Sequence, residues 1–155
     1  MNRPKNYTTK IVARVTAGEC LSLLAEAGAD HVALSYTDKQ PSGLTFRLDT
    51  PIGPRDFRLP VNVKGMRSRL EGAEAAGDFD STRQRIGSYS TREHAERVAW
   101  RVCRDWLDAV LALVAAEMAD ISEAFAAYRV LDGGMTVAER LALSDHLPAI
   151  EGDSS

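Results

Sequence analysis

The sequence predicts an α+β fold: a small, four-stranded, mostly antiparallel sheet (order β-α-β-β-β-α), then a long helix and short C-terminal helices. Three observations predict it. Between Ser88 and Asp132 the chain has no glycine and no proline, and the middle of that stretch repeats its apolar residues at helical spacing. Ahead of it lie short runs that alternate apolar and polar residues and are separated by turn residues. The 155 residues are 45% hydrophobic and 26% charged, which suits one packed domain rather than disorder.

The elements follow in order. Thr8 to Thr16 alternates, with Ile11, Ala13 and Val15 on one side and Val12 and Arg14 on the other, and predicts a first strand. Thr16-Ala17-Gly18-Glu19 has the form of a capping box, a hydroxyl followed three residues later by a carboxylate, opening a short helix that Gly28 stops. Val32, Leu34 and Tyr36 mark a second strand, Leu44, Phe46 and Leu48 a third, and Phe57, Leu59 and Val61 a fourth. Asp38 to Gly43 is the turn between the first two of these, and Thr50 to Arg55, with two prolines, the loop before the last. Short connections make an antiparallel meander the natural pairing. Asn62 caps a helix with Val63, Met66 and Leu70 on its inner face, ended by Gly77.

The sheet half is expected over about residues 8–76, a mobile loop over about 77–89 and a helical half over about 90–147, all in one domain 1–155. Ser90-Thr91-Arg92-Glu93 repeats the capping pattern and opens the main helix. Its apolar residues, among them Ala95, Val98, Trp100, Cys103, Trp106, Leu107 and Val110, cover roughly 200° of the circumference. Arg97, Arg101, Arg104 and Asp108 form a solvated polar side, laced by pairs at a spacing of four. Beyond Asp108 that side becomes Ala112, Ala115 and Ala119, small enough to admit a second helix, so this section is expected to be buried in a core or in a homo-oligomer interface. A break near Met118 to Asp120, a re-capped helix with Phe125 and Tyr128, a last helix capped by Thr136 and a frayed tail from Glu151 to Ser155 complete the chain.

The residues exclude several function classes. His31, His94 and His146 are scattered, and there is no CxxC or HExxH, so no metal centre is expected. Neither a GxGxxG turn nor a phosphate-cradling GxxxxGK loop occurs, nor a GxSxG elbow; no cofactor and no enzymatic activity are expected. No apolar run approaches the ~20 residues that span a bilayer, and Met1 to Lys10 is polar with no apolar core behind it, so neither membrane nor secretion is expected. Cys20 and Cys103 read as small buried hydrophobes in a reducing cytosol.

Charge is unevenly placed: residues 1–104 hold 17 basic and 12 acidic side chains, a net +5, and residues 105–155 hold 2 and 10, a net −8. That asymmetry would suit head-to-tail association or a charged partner. On the sheet, Arg14, Arg47 and Arg58 fall opposite the aromatic residues, giving a basic, ring-free face. With Arg97, Arg101 and Arg104 on the helix they are the candidates for binding a protein partner or an anion. Without rings to stack bases, nucleic acid is the alternative partner rather than the first; a small ligand held between sheet and long helix is a further one.

Residues 91–131, with the helix Ala99-Trp100-Arg101, Asp105-Trp106-Leu107 and Leu111-Ala112-Leu113, resemble the C-terminal half of small proteins of phages and prophages. The match includes the segments Leu48-Asp49-Thr50 and Phe57-Arg58-Leu59-Pro60, and it departs at Ala127-Tyr128, where Pro-Tyr is the pattern. The resemblance implies a cytoplasmic, non-enzymatic accessory protein that binds a host or phage protein; it carries over no site residues.

Overall fold

The computed structural model describes residues 3–79 and 89–145. Most of the loop expected over 77–89 lies outside them, as do Met1, His146, Leu147 and the tail. The chain runs α1 (Ala13–Glu26), β1 (His31–Thr37), β2 (Gln40–Thr50), β3 (Gly53–Pro60), α2 (Val63–Ala75), α3 (Arg92–Ala115), α4 (Ile121–Ala124), a 3₁₀ turn (Ala126–Tyr128) and α5 (Val137–Asp145). The strands form an antiparallel meander in the order β1-β2-β3. The fold is α+β, as expected, but the sheet has three strands and not four among the described residues.

The missing strand is a helix. Residues 8–16 alternate, yet Ala13, Thr16, Ala17, Cys20 and Leu24 recur at three- and four-residue steps, and these are the residues α1 buries. Ile11, Val12 and Val15, the β-branched residues that suggested a strand, are exposed. The helix starts one turn before the expected capping box, with Val12 at its N-cap and no side-chain cap. Thr16 is carried into the buried face, where its hydroxyl has no hydrogen-bond partner. At the other end Gly28, at φ 97°, closes α1 as expected: Ala29 N–H donates to Leu24 C=O and Gly28 N–H to Ala25 C=O.

The turns are tighter than the sequence suggested. Asp38 and Lys39, both at left-handed φ, make a two-residue hairpin, so Pro41 and Gly43 lie inside β2. A register shift beside Ser35 and Tyr36 absorbs the proline. Gly43 is needed: a Cβ there would stand 3.0 Å from the Leu59 carbonyl oxygen. β2 and β3 pair from Gly43↔Pro60 to Thr50↔Gly53, so Pro54 falls on the outer strand of the sheet. Beyond β3, Arg129 bridges Phe57 and Val130 N–H donates to Asp56 C=O.

One sheet face carries Leu44, Phe46, Leu48, Phe57 and Leu59 into the main core, closed by Trp100, Leu107 and Phe125. Trp100 is wholly buried and its indole N–H donates to Pro41 C=O at 3.0 Å, joining the long helix to the start of β2. On the opposite face Arg47 and Arg58 are half-exposed, and Arg58 donates to the Gly134 carbonyl and to Glu139 of α5, both at 2.8 Å. A second core joins α2 to α3 through Leu70, Ala73, Ala95 and Val98. Phe79 seals it, stacked on Tyr7 at 4.9 Å between ring centroids. α2 starts as expected, with Gly65 N–H donating to the Asn62 side chain at 2.8 Å; α3 is capped by Thr91, one residue later than the expected serine.

Trp100→Phe should lower unfolding stability by about 2–4 kcal/mol, because it strands the buried Pro41 carbonyl and leaves a void. Val15→Ala should change it by less than ~0.5 kcal/mol, since Val15 is 55% exposed. Urea titrations of the two variants check both.

Candidate functional site

α1 runs alongside α3 in the same direction: its start lies by Glu93 and Arg97, Glu19 pairs with Arg101, and Leu23 and Glu26 reach Leu111 and Ala115. Its buried residues Ala13, Thr16, Ala17 and Cys20 are small, so the two helices come close. The side of α3 expected to be solvated is therefore half covered. Arg97, Arg101 and Arg104 keep side-chain exposures of 21–28%, and the Nε of Arg97 and of Arg104 has no hydrogen-bond partner.

The six candidate arginines do not converge. Arg97 pairs with Glu93 at 2.8 Å, Arg101 with Glu19, and Arg104 with Asp105 and Asp108, each at 3.5 Å. Arg47 makes a fork to Asp56 at 2.8 and 3.2 Å, and Arg58 is held by Glu139. The Arg47 guanidinium holds the Asp56 carboxyl below the usual carboxylate range, and Arg58 does the same to Glu139. Arg14, on α1 and not on the sheet, shares a hollow with Arg97, Glu93 and Glu96. Five of the six arginines are thus matched to carboxylates within the chain.

A groove of about 410 Å³ opens where the end of β3, α2 and α3 meet, lined by Val61, Met66, Ala99, Val102, Cys103 and Trp106 among others. Trp106 is half-buried: it lines this groove and also packs on the main core, edge-on to Phe125 and Tyr128, at 5.8 and 5.7 Å between centroids. This groove is the space between sheet and long helix that the sequence reading offers to a small ligand. Its lining is mostly apolar, with Arg69 and Asn62 as its polar members.

The distal end of α3 has a different character. Beyond Asp108 the cover is partial, and among the described residues nothing buries the alanine strip: Ala112 and Ala115 are exposed and Ala119 is half-buried. Leu113 is 42% and Met118 72% exposed, and Ile52 in the β2–β3 turn is 60% exposed. Two hollows flank the helix here and share Val114 and Ile121; one is bounded by the end of α1, the other by the β2–β3 turn and α4. Their rims carry Glu26 and Asp108 on one side and Asp49, Glu117, Asp120 and Glu123 on the other. Among the described residues Glu26, Asp49 and Glu117 make no ion pair.

The helix end is fixed in place. Met118 N–H donates to Leu113 C=O and Glu117 N–H to Val114 C=O, a closure that demands a left-handed residue. Glu117 fills it at φ 57°, where glycine is usual. Asp120 then caps α4, accepting from Glu123 N–H at 3.0 Å, which realises the expected break.

Comparisons with protein-family models, with curated proteins and with solved structures find no match for this chain. The geometry alone therefore identifies the candidate surface. The sequence pointed to its alanines but not to the carboxylate rim, because Glu26, Asp49 and Glu117 come from three separate elements. Nor did it show that Cys20 and Cys103 meet. Among the described residues no group of His, Cys, Asp and Glu is placed to hold an ion. Among the same residues no helix is long and apolar enough to cross a membrane.

Two predictions arise here. The Asn6 amide, at 2.9 Å, and the Lys5 ammonium, at 3.5 Å, hold the Asp105 carboxyl below its ordinary range. A depressed folded pKa stabilises above the unfolded value and is lost as pH falls through the folded one. Asp105→Ala should therefore cost about 0.5–1 kcal/mol at neutral pH, discounted for solvent exposure, with the gap to wild type closing below roughly pH 4; unfolding measured across pH checks it. Glu117→Gly should stabilise by about 0.5–1 kcal/mol by relieving the left-handed residue, read from the same titrations.

Proposed function

We propose that this protein is a non-enzymatic binding module, of the phage or prophage accessory kind that its sequence resembles, and that the distal end of α3 is where a host or phage protein docks. One observation carries this reading: Leu113, Met118 and Ile52 are exposed, and Ala112, Ala115 and Met118 line two adjoining hollows whose rims carry carboxylates. Exposed apolar surface with a polar rim is the form of a protein-docking site. The rim decides the partner's chemistry: apolar side chains flanked by lysine or arginine, as on one face of a basic amphipathic helix. The cytoplasm of a bacterial host is the setting such a protein would work in.

Self-association through Ala112, Ala115 and Ala119 is the second reading. Small residues favour it, since they let a second helix approach closely. The carboxylates work against it, because a face-to-face pair would set like charges together. Nucleic acid fits less well, as Arg47, Arg58, Arg97, Arg101 and Arg104 are matched to carboxylates. For a sequestered small ligand, the support is the groove beside Trp106.

Salt separates the readings. A basic amphipathic peptide should bind the protein measurably in low salt and weaken as salt is added, while an acidic peptide with the same apolar face should not bind. Leu113→Asp with Met118→Asp should lower that affinity at least about tenfold and change unfolding stability by less than ~0.5 kcal/mol per site. Equal binding of both peptides, or full binding by the variant, would overturn the docking surface. Light scattering across the same salt series tests self-association: dimers that grow with salt support it, and a monomer throughout removes it.

A further inference from the structure

The chain has two cysteines, 83 positions apart, and the fold brings both into one core cluster where α1 packs on α3. Cys20 lies on the buried face of α1 and Cys103 on α3, where the small residues of α1 let the helices approach. The two thiols are near enough to shift one another's titration. Both are free. Their access to solvent differs: Cys20 is wholly buried, whereas Cys103 is half-buried and lines the groove beside Trp106. One sulfur can be reached by a small molecule from outside, and the other stands behind it within reach of the first.

We propose that Cys103 and Cys20 form an oxidative modification site, in which a small hydroperoxide entering the Trp106 groove oxidises Cys103 and Cys20 then closes an intramolecular disulfide between α3 and α1. In the first step the Cys103 sulfur attacks one peroxide oxygen; an S–O bond forms, the O–O bond breaks, and the departing oxygen leaves as water when hydrogen peroxide is the oxidant, taking up the thiol proton. In the second the Cys20 sulfur attacks the Cys103 sulfur, the S–O bond breaks, and the hydroxyl leaves as a second water with the Cys20 proton. The protein loses two electrons and two protons; the peroxide is reduced. The neighbouring Cys103 thiol and burial push the Cys20 thiol up, so the enclosed sulfur keeps its proton and the groove-lining one is the first that an oxidant meets. The pair lies under the covered half of α3, away from the proposed docking surface, and its chemistry does not depend on docking.

Hydrogen peroxide added to the full chain tests this. The expected product is a monomer lighter by two hydrogen atoms, with neither cysteine open to alkylation in urea and both restored by a thiol reductant. Cys20→Ala, checked for folding by its urea transition, should instead accumulate a Cys103 sulfenic acid that dimedone traps. Cys103→Ser should leave Cys20 reduced over the same interval. Two alkylatable thiols after treatment, cross-linked dimers in place of the internal bond, or oxidation of Cys20 in Cys103→Ser at the wild-type rate would each overturn the assignment.

Discussion

The close parallel contact of α1 with α3 is the constraint on which the rest of the molecule depends. A helix with an apolar arc as wide as that of α3 needs cover on more than one side. The sheet takes the side marked by Trp100 and Leu107, and α2 takes Ala95 and Val98. What remains is the arginine side, and α1 can lie over it only because Ala13, Thr16, Ala17 and Cys20 hold the backbones near one another. Burying guanidinium groups is costly unless they are paired, and Glu19 against Arg101 is the pairing that makes this contact tolerable. The paired arginines and the adjacent thiols both result from this one contact.

α3 is thus two structures in one helix. Its first half is enclosed and holds the protein together; its second half, past Asp108, packs Val110 and Leu111 on the core but leaves Ala112, Leu113 and Ala115 exposed. Leu113 and Met118 there are exposed hydrophobic residues that no described residue covers, on a well-capped helix. Carboxylates of α1, β2 and α4 stand at the rims of the flanking hollows.

Much of this was legible in the sequence, and the failures have physical causes. The long helix, its break before Asp120, the Asn62 and Thr136 caps and the Gly28 stop rest on local rules, and all are present. The first strand failed because Ile11, Ala13 and Val15 alternate over too short a window to outweigh the helical recurrence of Ala13, Thr16, Ala17, Cys20 and Leu24. The turn over Asp38 to Gly43 was drawn too wide because a proline inside a strand is tolerated where the register shifts, which tertiary pairing decides. The candidate arginines were found as residues but not as a site; which carboxylate each one meets is a long-range fact, as with Arg58 and Glu139. The cysteine pair was invisible for the same reason.

The short bridge that Arg129 and Val130 make beside β3 has a consequence for how this sheet can meet other chains. A strand at the margin of a sheet offers unpaired N–H and C=O groups to any extended segment that comes by. On the β3 side that margin is already occupied at Phe57 and Asp56. The only unoccupied margin among the described residues is β1, seven residues long and irregular beside Ser35 and Tyr36. Growth of the sheet, whether by a partner's strand or by unwanted polymerisation, is therefore confined to one direction, and the irregularity limits how long an added strand can stay in step.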